Sequence, residues 1–430
     1  MQNTKRTFLK QSAVALASLG LVPIASASST STSNSSQNAL RDLTSSVKPI
    51  SSFERLERIK KAQKLMSIYD INVLVLEPGA SMTYFSDLKW WRSERLTSVV
   101  IPREGNWFVV CPEFEVPTIQ ESINSDIAVV AWNEHQSPYK ALAQHLKSVG
   151  VVKGNIGFEE SVRYFVFEGI MNELPSMNHV SADPVTQGCR MFKSKNELQL
   201  MRKANEITLA AYNYVYSNLE EGMTGKDIKS LMNSAQTQLG GDGVWSMALS
   251  NESSALPHGT KKPQILKKGS IILMDSGCNV HEYRSDISRT FVFGEPSNRH
   301  RKIWNTVRKG QDIVFKTAQI GVLATNVDDA VRSFYESEGF GPGYATPGLS
   351  HRTGHGIGME IHEEINFVHG EKTKLKAGMC FSNEPGIYIP GEFGVRIEDC
   401  IYLTEGGPQY FTNPPKSIEE PLGTIGPEII

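Results

Sequence analysis

The chain has 430 residues, of which 44 are Lys or Arg and 46 are Asp or Glu, so its formal net charge is only −2. This length exceeds what one hydrophobic core usually serves and predicts two domains. The balanced charge, with no long basic run, excludes an electrostatic drive towards nucleic acid or membrane surfaces. We therefore expect a small, soluble substrate and no nucleic-acid partner.

The N-terminal residues differ in kind from the rest of the chain. Lys5 and Arg6 precede an apolar stretch, 13–24, and Ala-Ser-Ala follows at 25–27 as a cleavage site. These features predict an export signal peptide over residues 1–27. It resembles a twin-arginine signal with Lys in place of the first Arg, and the Sec route stays open.

We expect the protein to be exported, to the periplasm, with no stable membrane insertion after signal removal. A membrane anchor is disfavoured because the apolar run is shorter than the ~20 residues that span a bilayer. Residues 28–50 are rich in Ser, Thr and Asn and predict a disordered tether. The five cysteines are odd in number and unpatterned, so they define no disulfide framework.

An alternation of apolar runs and helical spacings follows the tether. Apolar residues from Phe53 to Met66 recur at helical spacing and predict an amphipathic helix. Strands are predicted at 71–76, 96–101, 107–111, 128–131 and 156–158, with helices near 137–149 and 162–172. This order predicts an α/β domain over residues 51–188.

Longer helices characterise the remainder of the chain. Ser194 and Glu197 form a capping box, Thr224 is a predicted N-cap, and further helices are expected over 300–318 and from Thr325, where Asp328 lies three residues on. Hairpins lie between these helices. The sequence therefore predicts an α+β domain over residues 189–430, with helices backing an antiparallel sheet.

Five residues of metal-ligand type stand in this second domain: Asp275, Asp286, His355, Glu384 and Glu398. A hairpin with its turn in 276–285 would bring the two aspartates onto adjacent strands. Turns at 385–386 and 390–394 would do the same for the two glutamates. Four carboxylates and one imidazole favour a pair of divalent ions that share a water. Cys278 is close to Asp275, but we expect a buried cysteine rather than a ligand.

The segments that carry these residues resemble the signature segments of the Xaa-Pro peptidases. They are Met274–Gly277, Ser285–Thr290, Gly354–Gly358 with His362 and Glu363, Asn383–Tyr388 and Gly394–Asp399. That family comprises aminopeptidase P and prolidase, and methionine aminopeptidase and creatinase are relatives with the same pita-bread fold. The resemblance implies a creatinase-like N-terminal α/β domain before an α+β pita-bread catalytic domain.

The resemblance also implies a role for each ligand. Asp275 would bind one ion, His355 and Glu384 the other, and Asp286 and Glu398 both. Such ions lower the pKa of a shared water, which then attacks the scissile amide, and Glu384 would carry its proton to the leaving nitrogen. Manganese is the expected metal from family habit, and Fe, Co or Zn would suit the same ligands.

Four further residues match accessory positions of the family: His258, His351, His362 and Arg396. The histidines would donate to the carbonyl oxygen and the oxyanion, with His351 towards the leaving group. Arg396 would orient a bridging carboxylate or a substrate carboxylate. The stretch 90–95, Trp-Trp-Arg-Ser-Glu-Arg, would contact a short peptide or pack at a domain interface.

The expected reaction is hydrolysis of the amide bond N-terminal to proline in short peptides, by a dipeptidase or an aminopeptidase that forms a homodimer. A second hypothesis is a lyase or small-amide hydrolase on the same fold, like dimethylsulfoniopropionate lyase or ectoine hydrolase. The lyase carries an additional Asp where this chain has Gly277. A third hypothesis, a metal-free binding module, is disfavoured because buried carboxylates without a cation repel one another.

Overall fold

The computed structural model describes residues 40–123 and 126–429. The predicted signal peptide and the first part of the tether lie outside the described residues. The predicted disorder of residues 40–50 is wrong, because Leu43 donates a backbone hydrogen bond to Leu239 and Ile50 is buried. The apolar residues of this segment pack on the core of the protein, which the Ser- and Thr-rich composition had concealed.

The N-terminal domain is built around one six-stranded sheet. Its strands are β1 (Val73–Leu76), β2 (Ser98–Pro102), β3 (Phe108–Pro112), β4 (Ala128–Trp132), β5 (Gly154–Phe158) and β6 (Met177–Ser181). The strand order is β4-β3-β2-β1-β5-β6, and β1, β5 and β6 run parallel, as do β3 and β4. Because parallel strands end at the same edge, the loops after β1 and β5 lie together.

Six helices cover this sheet: α1 (Ser52–Ile68), α2 (Ala80–Ser86), α3 (Val116–Ser122), α4 (Pro138–Ser148), α5 (Tyr164–Glu173) and α6 (Asp183–Arg190). Ser51 and Glu54 form a capping box that starts α1. The structure confirms the predicted α/β alternation. It differs at the apolar positions Phe53 and Leu56, whose exposed fractions are 69% and 50%.

The helices of the second domain are α7 (Lys195–Ser217), α8 (Gly225–Gln238), α9 (Asn298–Thr317) and α10 (Ala324–Ser337). The Ser194 capping box and the Thr224 N-cap are confirmed. The helix expected from Thr325 starts at Ala324 and has no side-chain cap. The buried Asp328 carboxylate accepts hydrogen bonds from Thr353 and Arg332.

The second domain contains thirteen described strands: β7 (Asp242–Ser250), β8 (Ile271–Val280), β9 (Tyr283–Arg284), β10 (Ile287–Val292), β11 (Gly354–Gly356), β12 (Glu363–Phe367), β13 (Cys380–Asn383), β14 (Gly386–Ile389), β15 (Phe393–Arg396), β16 (Asp399–Thr404), β17 (Gly407–Tyr410), β18 (Thr412–Asn413) and β19 (Thr424–Ile425). One antiparallel sheet has the order β10-β8-β7, and another has the order β12-β11-β13-β16-β17.

Two helices hold β10 in place. Tyr212 of α7 donates its hydroxyl proton to the Ile287 carbonyl at 2.7 Å, and Trp304 of α9 donates to the Thr290 carbonyl at 2.9 Å. Both side chains are fully buried. The strand that begins just after Asp286 is therefore fixed from two helices. Within the described residues, no helix combines the length and apolar character needed to cross a membrane.

Candidate metal centre and its surroundings

Asp275 and Asp286 lie on one hairpin. β8 and β10 are antiparallel, Asp275 lies opposite the second residue of β10, and Asp286 directly precedes that strand. The strand that carries Asp275 continues to Val280, and the chain turns at His281 and Glu282, which both have positive φ. The turn is shorter than the sequence predicted, but the two aspartates lie on the two arms of one hairpin, with Asp286 just before β10.

Glu384 and Glu398 are brought together by a second hairpin. Glu384 directly follows β13, and Glu398 directly precedes β16. The two strands pair antiparallel with Asn383 opposite Asp399. The glutamates therefore leave neighbouring strands at the same level, while β14 and β15 form the rest of the hairpin.

Hydrogen bonds join the two hairpins at Ser288. Its carbonyl accepts a hydrogen bond from the Glu398 amide at 3.1 Å, and its hydroxyl donates to Glu398 Oε2 at 2.7 Å. Thr290 donates to the Arg396 carbonyl at 2.8 Å. Because these bonds fix the hairpins to each other, the four carboxylates converge.

His355 presents one ring nitrogen to this group. Its backbone amide donates to Ser382 Oγ at 3.0 Å, and its Nδ1 donates to the Gly356 carbonyl at 3.0 Å. A carbonyl only accepts, so this contact places the ring proton on Nδ1. Nε2 keeps its lone pair and lies 3.4 Å from Glu384 Oε1 and 3.6 Å from Asp286 Oδ2. We call Asp275, Asp286, His355, Glu384 and Glu398 the metal pocket.

Burial dominates the electrostatics of the metal pocket. It raises the pKa of Asp286 and of Glu398 well above the ordinary value, and the neighbouring carboxylates raise both further. Burial also raises the pKa of Glu384 to about 7, although Arg396 opposes the shift. The pKa of His355 is well below its ordinary value, for the same reason. Four acids in this space therefore repel one another when ionised.

The metal pocket fits divalent cations. Ligand atoms of Asp286, His355 and Glu398 all lie within 4.8 Å of one another. Asp275 Oδ1 and Asp286 Oδ1 are buried without a hydrogen-bond partner among the described residues, as expected of atoms that bind a cation. Carboxylates with an unprotonated imidazole nitrogen are typical ligands of divalent transition metals.

His351 and Arg396 meet at Tyr388. The Tyr388 hydroxyl lies 2.8 Å from His351 Nε2 and accepts a hydrogen bond from Arg396 at 3.0 Å. Arg396 also donates to Asp275 Oδ2 at 2.5 Å and to Ser288 Oγ at 2.8 Å. These hydrogen bonds to protein groups favour a role for Arg396 in orienting the Asp275 carboxylate over a role in contacting substrate. Sequence reasoning assigned no role to Tyr388.

His362 stacks edge-on against His355, with 4.3 Å between ring centroids. Burial, followed by the charge of Arg352, lowers the pKa of His362. His258 is exposed in the loop after β7, and its charge is a smaller factor in lowering the pKa of His351 to about 3, which is chiefly due to burial. All three predicted accessory histidines therefore lie around the metal pocket.

An ion pair behind the pocket fixes the loop before His355. Arg332 donates to Asp328 at 2.7 Å and to the His351 carbonyl at 2.6 Å. Asp328 also accepts from the Thr353 amide at 3.2 Å and from its hydroxyl at 2.6 Å. Helix α10 therefore fixes the chain at His351 and at Thr353, just before His355.

A cluster of charged residues links the two domains beside His362. Arg190 of α6 donates to Glu360 and to Glu363, each at 2.6 Å, and Lys193 donates to Glu363 at 2.9 Å. Burial alone would raise the pKa of Glu363, but Lys193 and Arg190 lower it to about 2. We call Arg190, Lys193, Glu360 and Glu363 the interdomain ion cluster. It holds the strand that follows His362.

A cavity of about 180 Å³ lies between the domains. Ser81, Arg92 and Glu159 belong to its N-terminal-domain side, and Arg352 and His362 to its catalytic-domain side. The cavity therefore lies next to His362, whose ring packs against His355 of the metal pocket.

The residues of the stretch 90–95 have different surroundings, and both roles that the sequence left open stay predictions. Trp90 and Trp91 stack at 4.5 Å, and Trp91 is 61% exposed. Arg95 pairs with Glu94 and Glu134, so its charge is satisfied within the N-terminal domain. Arg92 alone in this stretch lines the cavity among the residues described.

All five cysteines are free and buried. Cys278 accepts or shares hydrogen bonds with Thr208 and Ser285, and burial raises the pKa of its thiol to about 11. A protonated thiol on the far side of β8 agrees with the expected buried cysteine.

Comparisons with known proteins agree with a metal centre in a two-domain protein. Residues 199–405 match the model of metallopeptidase family M24, and residues 58–192 match the creatinase/prolidase N-terminal domain. The chain is 30% identical over 349 residues to a probable dipeptidase PepE of Mycobacterium tuberculosis, covering 80% of this chain and 91% of the relative.

The chain belongs to metallopeptidase family M24. This M24 peptidase is also 28% identical over 367 residues to the Xaa-Pro dipeptidase of Lactobacillus delbrueckii subsp. lactis. The match covers 84% of this chain and 98% of that relative. The solved dipeptidase PepE of Mycobacterium ulcerans superposes with a TM-score of 0.80 at 29% identity, covering 86% of this chain and 98% of that one. The predicted two-domain fold, with a pita-bread catalytic domain in a metallopeptidase, is confirmed.

Proposed function

We propose that this M24 peptidase uses two divalent ions to hydrolyse the amide bond N-terminal to proline in short peptides. The observation that carries the proposal is the convergence of four carboxylates and the His355 lone pair, with two buried oxygens left without protein partners. Relatives named Xaa-Pro dipeptidase support the choice of substrate. Asp275 would hold one ion, His355 and Glu384 the other, and Asp286 and Glu398 would bridge.

The cations, when bound, would lower the pKa of a water and polarise the scissile carbonyl. Glu384 would accept the proton of that water and pass it to the leaving nitrogen. Its position beside the His355 nitrogen and near His351, whose Nδ1 lies 4.0 Å from Glu384 Oε2, suits a carrier between the two sides of the pocket.

The accessory residues would stabilise charge around the reacting amide. His258 and His362 would donate to the carbonyl oxygen as it becomes an oxyanion. His351 would face the leaving group, with its ring held by the Tyr388 hydroxyl. Arg396 would orient Asp275 through its hydrogen bond to Oδ2.

Manganese, export to the periplasm and a homodimer are part of the same proposal. The export signal is inferred from the sequence of residues 1–27, and manganese is inferred from the metal usual in the family. Fractionation of cells that express the full chain tests the location, and sedimentation of the purified protein tests the dimer. Recovery in the cytoplasm as an uncleaved monomer would contradict both.

The function is tested with protein that has been stripped by a chelator and reloaded with manganese. We expect hydrolysis of alanyl-proline and little hydrolysis of alanyl-alanine, in the reloaded protein only. Asp275→Asn, expressed and treated in parallel, serves as the matched inactive control. Two bound metal ions with no proline preference would favour a small-amide hydrolase, and turnover without metal would contradict the proposal.

A further inference from the structure

The hairpin that carries Asp275 and Asp286 departs from a regular ladder just before Asp286. Two residues, Ser285 and Asp286, separate the short strand β9 from β10. Beside this gap the Cys278 amide donates to a side-chain oxygen, Ser285 Oγ, at 3.0 Å. Because side-chain contacts replace part of the ladder here, the position of Asp286 depends on how the neighbouring side chains are held.

Tyr283 of β9, three residues before Asp286, is held by two buried charged residues. Its hydroxyl donates to Glu197 Oε1 at 2.6 Å and accepts a hydrogen bond from Arg58 at 2.8 Å. Arg58 also donates to Glu197 directly, at 3.1 Å. The exposed fractions are 7% for Arg58, 3% for Glu197 and 2% for Tyr283. We call these three residues the buried triad.

The buried triad joins three elements from both domains. Arg58 belongs to α1 of the N-terminal domain, and the Tyr84 carbonyl of α2 accepts a further hydrogen bond from its guanidinium at 2.9 Å. Glu197 belongs to the capping box at the start of α7, the first helix of the catalytic domain. A buried carboxylate of this kind depends on its cationic partner. One guanidinium therefore links the N-terminal domain to α7 and to the metal-ligand hairpin.

The next residue, Arg284, ties the same strand to the segment that follows His355. Its amide donates to the Gly358 carbonyl at 2.9 Å, and its Nε donates to the Met359 carbonyl at 2.8 Å. Gly358 lies three residues after His355. A displacement of β9 would therefore reach the metal pocket from two sides, at Asp286 and through the segment after His355.

From this geometry we infer that Arg58 is a positioning residue of the metal pocket, which fixes Asp286 through the Tyr283 hydroxyl. The N-terminal domain would thereby contribute to metal affinity. The inference rests on the proposed two-metal function and goes beyond it, because Arg58 lies in the other domain and outside the metal pocket. Residues that hold metal ligands in place typically change metal affinity by about 10- to 100-fold.

The test is a titration of chelator-stripped protein with manganese, with the Kd measured by native mass spectrometry. Tyr283→Phe removes only the hydroxyl that connects Arg58 to β9. We expect the Kd for manganese to rise about 10-fold in this variant. In the manganese-loaded variant, kcat for alanyl-proline should fall while KM changes little, because the groups that would contact the substrate remain.

Changes at Arg58 and a matched arginine complete the test. Arg58→Met leaves Glu197 without its cation and should raise the Kd more than the tyrosine variant does, whereas Arg58→Lys should recover part of the affinity. Arg55→Met is the control. Arg55 lies on the same helix, donates to the Thr83 carbonyl at 3.0 Å and pairs with Asp87 of its own domain at 2.6 Å. This control should keep the wild-type Kd.

The outcomes separate the inference from the function on which it rests. A wild-type Kd in Tyr283→Phe, even with reduced stability in urea, overturns the positioning role and leaves the two-metal function intact; this variant decides if Arg58→Met does not fold. An equal rise of the Kd in Arg55→Met also overturns the inference, because it would show a general effect of weakening the N-terminal domain. Wild-type protein that binds no manganese overturns the proposed function itself.

Discussion

The metal pocket and the interdomain ion cluster both bury carboxylates, yet the pKa values of their acids shift in opposite directions. Burial and mutual repulsion raise the pKa of Asp286, Glu398 and Glu384. In the interdomain ion cluster, Lys193 and Arg190 overcome the effect of burial and lower the pKa of Glu363. The interdomain ion cluster has two cationic side chains for its two carboxylates. The metal pocket has Arg396 beside its four carboxylates, so bound divalent cations would complete its charge balance.

The largest expected effect lies in the metal pocket. Glu384→Gln keeps the size of the side chain but removes the oxygen that accepts a proton, so kcat should fall about 1,000-fold for alanyl-proline. Steady-state kinetics on metal-loaded protein measure this. Glu392→Gln, at an exposed position of the loop between β14 and β15, is the control and should keep normal turnover. More than a tenth of the wild-type kcat in Glu384→Gln would exclude its proton-carrying role.

Removal of a carboxylate from the interdomain ion cluster should lower the stability of the protein. Glu363→Gln leaves Arg190 and Lys193 without their buried partner, and the free energy of unfolding should fall by about 3 kcal/mol. The Glu363 side chain is 6% exposed, whereas Glu392, which pairs with Arg299, is 44% exposed. Glu392→Gln should therefore cost less than about 1 kcal/mol in urea unfolding. Equal losses in the two variants would show that burial of the cluster adds nothing.

Removing a carboxylate from the metal pocket should have the opposite effect when no metal is bound. Asp286→Asn relieves repulsion by Glu398 and Asp275, so the metal-free variant should be more stable than metal-free wild type by about 1 kcal/mol. Metal ions should stabilise wild type more than the variant. Thermal unfolding with and without chelator measures both effects, and a less stable metal-free variant would contradict this view of the pocket.

The metal pocket and the interdomain ion cluster should also contribute to stability with opposite dependence on pH. Carboxylates whose folded pKa is raised stabilise the fold fully below their unfolded pKa, and this contribution is lost as the pH rises through the folded pKa. For Glu384 this window runs from its ordinary value of 4.5 to about 7. Glu363 behaves oppositely, since its contribution is present above 4.5 and is lost towards pH 2.

Urea unfolding of chelator-treated protein at pH 5, 6, 7 and 8 measures the contribution of the metal pocket. The raised pKa values of the carboxylates lower the free energy of unfolding as the pH rises, whereas His351, His355 and His362, whose pKa values are lowered, raise it up to their ordinary value of 6.5. Between pH 7 and pH 8 the histidines add little to the slope, so the free energy of unfolding should decline there, and manganese should reduce the decline. A metal-free protein whose stability increases from pH 7 to pH 8 would contradict the assignment.

The parts of the site that depend on local order along the chain were predictable. Strand, turn and strand follow one another around Asp275 and Asp286, and turn residues separate Glu384 from Glu398. The two-residue repeat of β-strands could also have pointed to Tyr388 and Ser288, because residues two positions apart lie on the same face of a strand. Counting by two from Glu384 reaches Tyr388, and counting by two from Asp286 reaches Ser288.

Contacts between distant segments were not predictable in this way. Arg332 lies nineteen residues before His351 in sequence, and its hydrogen bond to the His351 carbonyl depends on how α10 packs. Arg190 reaches Glu363 across 173 positions. Likewise, the exposure of Phe53 and the packing of Leu43 depend on which surfaces the rest of the fold provides. Helical spacing misassigned Phe53, and the Ser- and Thr-rich composition misassigned Leu43.

The number of metal ions per chain tests the central claim most directly. Native mass spectrometry of the purified chain, after chelation and titration with manganese, gives this number without a substrate. We expect two ions per chain in wild type, and fewer than two in Asp286→Asn, because a bridging ligand is lost. Wild-type protein that binds no more than one ion at saturation would contradict a dinuclear centre.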